Sequence, residues 1–242
     1  FGDVTCSGLR HFQADSHLIS WLHAKNISYD IITDNELHNE GHEAIKSYSS
    51  VTTGTHPEYH TTNTLDALMN YRNSGGAINY LGGNGFYWRI ARHEENQNIL
   101  EIRRAEDGIR AWASEPGEYY NSFDGKYGGL WRRNGRPPQQ LVGVGFTAQG
   151  TFVGMPFKRT YFDQDLDWIF KGIDKEELLG DFGYSGNGAA GFELDRVDHL
   201  LDQGHNIKII AQSFDIKKEF MLVPEEQLTH LTNVSGGPED NI

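Results

Sequence analysis

The sequence predicts an α/β fold with a doubly wound, mainly parallel sheet, and three observations predict it. A β-branched run, Val51, Thr52 and Thr53, ends in a turn punctuated by Gly54 and Pro57, and a helical pattern begins at about Thr61. A second strand-like run at residues 77–81 (AINYL) exits into Gly82-Gly83-Asn84-Gly85. Ahead of both, helical and extended periods alternate, which is the pattern of a parallel sheet with helices on its faces. Ligands of such sheets sit beyond the carboxyl ends of the strands, so these two exits are where chemistry is expected.

Taken in order, Asp15 and Ser16 can cap a helix that runs to about Lys25 with Leu18, Ile19 and Leu22 on one face. Residues 28–33 (SYDIIT) predict a strand, and Asp34-Asn35 opens a second helix toward Tyr48 through Leu37, Ala44 and Ile45. The first helix calls for a strand ahead of it, and the chain begins without Met, so further sequence is expected upstream. After the strand at 50–53 comes a helix over residues 61–73, stopped by Gly75-Gly76, and then the strand at 77–81.

Beyond Trp88 the alternation stops. Residues 99–103 (ILEIR) read as a strand, and a Gly- and aromatic-rich excursion follows from Gly108 through Trp112, Tyr119, Tyr120, Tyr127 and Trp131 to Pro138. Its aromatics argue for an ordered loop that covers a pocket. Arg132, Arg133 and Arg136 are assigned to structural salt bridges ahead of substrate contacts. Short strands are expected at 142–146 and 207–212, close backbone packing and then a strand edge at 186–196 (GNGAAGFELDR), and a frayed end at 234–242. A single domain over 1–242 is expected, with the insertion at about 99–140.

Composition excludes several classes. The formal net charge is -13, with 34 acids against 21 bases, the wrong sign for nucleic acid or an anionic membrane surface. No apolar run is long enough to span a bilayer, and the amino end lacks the apolar core of a signal peptide. A soluble, cytoplasmic protein is expected. The one cysteine, Cys6, leaves no intrachain disulfide or cysteine metal cluster and reads as a packing residue.

The candidate chemistry lies at the two exits. His56 and Glu58 stand in the HPEY turn, and Asn84 is the polar group of the GGNG loop, whose glycines would let backbone N–H groups approach a ligand closely. Glu193 can orient a base or ligand from behind; a buried Glu193 to Arg196 pair is the equal alternative. His38 and His42 have a helical metal-ligand spacing, but among Glu36, Asn39, Glu40 and Glu43 they read as a solvated face.

Several stretches carry a resemblance: TGTHPEY at 53–59, YLGGNGFYWR at 80–89, EIRRAEDGIRAW at 101–112, GEYYNSFDGKYGGLWRRNGRPPQQLVGVGF at 117–146 and GAAGFELDR at 188–196. Together they resemble the carboxy-terminal domain of the large subunit of the N,N-dimethylformamidase family, over nearly all of the chain. The resemblance implies a class I glutamine-amidotransferase-like α/β fold and an amidohydrolase that cleaves small N-substituted formamides to amine and formate. It implies a mononuclear ferric iron held by two tyrosines and a glutamate, the glutamate falling on Glu58 and the tyrosines ahead of Phe1. His56 then matches the family's catalytic histidine, and Asn84 and Glu193 match further polar residues of the pocket. The partners implied are a small subunit and further copies of the large one, and the family sequence continues past Ile242.

The chemistry follows from the residue types. A hard carboxylate such as Glu58 suits a ferric ion, with zinc on Glu58 and His56 the alternative. His56 can serve as acid or base, and Asn84 can donate to a carbonyl oxygen as charge develops there. A thiol route is excluded because neither strand exit offers a cysteine. The alternative class is a non-catalytic binding or assembly module that keeps the fold; an aromatic-lined sugar-binding domain ranks last.

Overall fold

The computed structural model describes residues 11–105, 118–150, 154–182, 188–202, 204, 206–214 and 220–223. Cys6, Trp112, the part of the excursion at 106–117 and the tail at 234–242 lie outside the described residues.

Helix α1 (Phe12–Ala24) starts ahead of Asp15, so that residue lies in the first turn instead of capping it. Its carboxylate instead accepts the Thr55 N–H at 2.7 Å and the Thr55 hydroxyl at 2.9 Å, tying α1 to the polar turn. The 28–33 run carries no strand ladder. Helix α2 (Asp34–Glu40) opens with a capping box between Thr33 and Glu36. It stops at Gly41, whose φ of 62° leaves the helical region, and a 3₁₀ turn over Gly41–Ala44 replaces the continuous helix expected to Tyr48.

Strands β1 (Ser50–Thr52) and β2 (Tyr59–His60) precede α3 (Thr62–Asn73), where the Thr61 hydroxyl caps the Thr64 N–H. Helix α3 buries Leu65, Ala67, Leu68 and Tyr71 against Leu37, Ile45, Phe86, Trp131 and Leu141. Each such leucine contributes about 1.5–3 kcal/mol through burial. Then come β3 (Ala77–Asn79), β4 (Trp88–Arg92) and β5 (Leu100–Ile102). Val142 closes a short helix, α4 (Gln139–Val142), where a strand was expected, and β6 (Gly145–Gly150) follows it. The remaining strands are β7 (Lys158–Arg159), β8 (Glu193–Arg196), β9 (Ala211–Gln212) and β10 (Phe220–Leu222), with a 3₁₀ stretch at Gln164–Phe170.

These strands do not make the doubly wound parallel sheet that the sequence predicts. Strands β1 and β3 pair in parallel as a sheet of two, in register Val51 to Ile78. Strand β4 pairs with β2 in parallel and with β5 antiparallel, and β6 lies antiparallel between β8 and β10. Strand β7 pairs antiparallel with β9. The physical reason is visible in β1 and β3: each has three residues, with only the middle one partly buried. A central parallel strand is longer and covered on both faces. The glutamine-amidotransferase-like expectation falls with the parallel sheet.

Strand β4 was not foreseen, and it is the most buried strand end to end. It organises the described part of the aromatic excursion. The Arg89 N–H donates to Gly129 O at 2.9 Å, Trp131 N–H donates to Tyr87 O at 2.9 Å, and the Trp131 indole donates to His60 O at 3.2 Å. The guanidinium groups of Arg89 and Arg136 lie over the Trp131 ring, and Arg136 pairs with Asp66 at 2.7 Å, a structural use of that arginine. Among the described residues no helix is long and apolar enough to cross a membrane.

Candidate active site

Three segments converge: the turn after β1, the loop after β3, and β8. Glycine makes the convergence possible. A Cβ on Gly82 would lie 2.6 Å from Thr55 O, and one on Gly83 would lie 2.8 Å from Glu193 O. The GGNG loop is thereby pressed flat between the HPEY turn and β8. The expectation that its glycines serve a ligand's approach is corrected, since it is protein backbone that approaches.

Two of the loop's N–H groups are also committed. Asn84 N–H donates to Asp195 Oδ1 at 2.9 Å, and Gly85 N–H donates to the Tyr80 phenol oxygen at 2.6 Å. The phenol in turn donates to Asp195 Oδ2 at 2.7 Å. Burial, with the charge of Asp195 behind it, raises the pKa of Tyr80, so its hydroxyl keeps its proton. Burial likewise pushes the Asp195 carboxyl up to about 6, against the bonds from Tyr80 and Asn84 that favour its anion.

The four residues singled out in the sequence come together. His56 Nε2 lies 3.2 Å from Glu193 Oε2 and 4.0 Å from Glu58 Oε2. Asn84 Nδ2 donates to Glu193 Oε1 at 3.1 Å, and its amide oxygen is buried with no hydrogen-bond partner. Glu193 therefore uses one oxygen on the imidazole and the other on the amide. Strand alternation turns Arg196 to the opposite face of β8, where it pairs with Asp198 at 3.0 Å and reaches the Thr147 hydroxyl at 3.2 Å. The Glu193 to Arg196 pairing is thus replaced by Glu193 to His56.

The electrostatics follow from two carboxylates around one imidazole. The bond to Glu193 raises His56 above its ordinary value despite burial, with Glu58 adding to it. The other ring nitrogen, Nδ1, faces Thr55 O at 3.3 Å, so both nitrogens meet acceptors and the imidazolium is favoured. Burial raises Glu58, the Glu193 charge raises it further, and His56 opposes both.

A cavity of about 120 Å³ opens beside these groups, lined by Glu58, Asn84, Glu193, Arg104 and Gln149 together with the aromatic rings of Trp88, Phe146 and Phe192. His56 does not line it. The imidazole faces a larger groove of about 920 Å³ beneath α1 and stacks on His11, with centroids 4.1 Å apart. The Glu58 and Glu193 side chains, 13% and 14% exposed, stand between that ring and the small cavity. Among the described residues no group of three or more His, Cys, Asp or Glu is arranged to hold a metal ion, and His38 Nδ1 lies 2.8 Å from the Thr61 hydroxyl.

Sequence reasoning missed Tyr80, Asp195 and His11 as parts of this site. Asp195 was legible in principle, because in ELDR it stands two residues after Glu193 and shares its face of the strand. Nothing in the sequence signalled the stacking of His11 on His56.

Comparison with known proteins adds an independent line. Residues 3–237 match the family described as N,N-dimethylformamidase beta subunit-like, C-terminal. The chain is 38% identical over 229 residues to the N,N-dimethylformamidase beta subunit of Alcaligenes sp, covering 93% of this chain and 30% of that protein. It is 37% identical over 229 residues to the N,N-dimethylformamidase beta subunit of Paracoccus aminophilus, with the same coverage of 93% and 30%. The chain thus spans a little under a third of the length of these curated relatives.

Proposed function

The chain belongs to the N,N-dimethylformamidase beta subunit-like, C-terminal family, and from that premise we propose that it forms part of the catalytic centre of a hydrolase that cleaves small N-substituted formamides, dimethylformamide among them, to an amine and formate. The observation that carries the reading is the meeting of His56, Glu58, Asn84 and Glu193 beside one cavity. At about 120 Å³ it is small against the roughly 300–1,000 Å³ of sites for drug-sized ligands. Its mixed lining suits a substrate of a few heavy atoms with one polar carbonyl and apolar N-substituents.

The chain's own residues divide the work. The Asn84 amide carries two hydrogens, one of which is given to Glu193. The other is the donor for the carbonyl oxygen as it gains negative charge during attack by water. Glu193, which lines the cavity, takes the proton released by that water, while the His56 imidazolium donates to it across their 3.2 Å contact. The same pair then returns a proton to the departing amine nitrogen, so it is unchanged over one turnover. Trp88, Phe146 and Phe192 supply apolar surface for the N-substituents.

Mononuclear iron belongs to this proposal, and Glu58 is the residue that would hold it, through a partly buried hard oxygen donor suited to a ferric ion. The described residues supply no further complete ligand set, so the other ligands would come from outside them. When bound, such an ion polarises a carbonyl and makes water more acidic. Both relatives are named as beta subunits, and we place this chain likewise in an assembly with a small subunit and further copies of the large one. The test is metal analysis of the complete polypeptide with its partner subunit, alongside amine release from a panel of formamides. Stoichiometric iron and turnover of the smallest N,N-dialkyl members support the reading; an iron-replete protein inert to every member overturns it.

A further inference from the structure

We propose that Tyr80 and Asp195 are a positioning pair that holds Asn84 in the conformation from which its side chain serves the cavity, a role that rests on the reading of Asn84 as the carbonyl donor. Asn84 has a φ of 45°, in the left-handed region. Non-glycine residues are uncommon there, although Asn tolerates the region better than most, and such conformations gather at functional sites. Asn84 is also 3% exposed and leaves its amide oxygen without a partner, so its own side chain does not account for the conformation.

The hold comes from two consecutive N–H groups. Asp195 Oδ1 takes the Asn84 N–H at 2.9 Å and the Tyr80 oxygen takes the Gly85 N–H at 2.6 Å. The Tyr80 hydroxyl closes the ring by donating to Asp195 Oδ2 at 2.7 Å. One carboxylate oxygen and the acceptor function of the phenol thereby hold the loop, and the other oxygen and the phenol proton tie the two residues to each other. A Cβ on Gly85 would lie 2.5 Å from the Tyr80 ring, so the ring sits directly against the loop backbone. Strand β8 completes the arrangement, because Glu193 and Asp195 share one face of it. One strand thus fixes the Asn84 backbone through Asp195 and receives its side chain through Glu193. Neither Tyr80 nor Asp195 lines the cavity, so the pair acts through Asn84.

The experiment is a double-mutant cycle in the complete polypeptide with its partner subunit, using Tyr80→Phe and Asn84→Ala, with Asp195→Asn alongside in case Tyr80→Phe fails to fold. Tyr80→Phe keeps the ring and removes only the hydroxyl. It should lower kcat for dimethylformamide by about ten- to a hundredfold with KM nearly unchanged, and should speed amide hydrogen exchange of the 82–85 loop. In the Asn84→Ala background the same change should leave kcat where it is while lowering thermal stability as before, because the pair then has nothing to position. An equal kcat loss in both backgrounds assigns the pair a general structural role and overturns the proposal. Full kcat in Tyr80→Phe, with Asn84→Ala impaired, overturns it while leaving the reading of Asn84 intact. Full kcat in Asn84→Ala overturns both.

Discussion

Glu193 and His56 lie 137 positions apart in sequence and meet at 3.2 Å, with the second oxygen of Glu193 held by Asn84. One carboxylate therefore links the imidazole of the HPEY turn to the amide of the GGNG loop and separates the ring from the small cavity. Glu193→Gln preserves the shape and removes the charge. It should reduce turnover by about a hundred- to ten-thousandfold, the usual effect of losing a general base, with little change in melting temperature. Steady-state kinetics and thermal unfolding on the one variant check this.

Glu58 bears on the iron. Glu58→Gln replaces a hard anionic donor with a neutral amide, a poorer ligand for a ferric ion. The complete polypeptide carrying it should lose most of its iron and keep its fold, as read by elemental analysis and circular dichroism. Retained stoichiometric iron removes Glu58 from the metal site.

Asp195 gives the account a pH dependence. Its carboxyl is pushed from 3.8 to about 6 by burial, so the folded state binds the proton more tightly than the unfolded chain does. Its contribution to stability is therefore full below about pH 4 and is lost as the pH rises through 6. Over that window the loss amounts to at most about 3 kcal/mol. Asp195→Asn cannot titrate, so its stability relative to the parent should improve between pH 4 and 7, whatever fixed loss the altered hydrogen bonds bring. Unfolding curves at the two pH values, showing an unchanged difference, would remove the shift.

Gly83 tests the packing of the loop. A Cβ there would sit 2.8 Å from Glu193 O, a backbone atom that cannot swing aside. Gly83→Ala should destabilise by about 1–3 kcal/mol through overpacking and lower turnover by displacing Asn84 from Glu193. A variant of native stability and full turnover would show that the loop does not lie as described.

The sequence showed which residues carry polar chemistry at two strand exits, because a β-branched run stopped by Gly and Pro and a Gly-rich turn around one Asn are local signals. It also disclosed the presence of α1, α2 and α3 through apolar spacing, although Asp15 does not cap α1 and α2 stops at Glu40, well short of Tyr48. It did not disclose the sheet. Residues 28–33 have strand composition and no strand partner, whereas β4 carries Arg89 near its start and Arg92 at its end, so no continuous apolar run marks it as a buried strand. Arg89 is 1% exposed because Asp124 pairs with it and Trp131 covers it, partners 35 and 42 positions away. Pairings of that range leave no periodic trace. The same limit hid Tyr80 to Asp195, 115 positions apart.

The most direct measurement of the central claim is dimethylformamide turnover by His56→Ala in the complete polypeptide, with iron content and thermal stability determined on the same preparation. A ring that donates to Glu193 as it takes and returns the proton should, when removed, reduce kcat by about a hundred- to ten-thousandfold while iron stays bound and the fold survives. Undiminished turnover at full iron content would contradict the account, and loss of the iron together with the ring would make His56 a ligand instead of the acid and base.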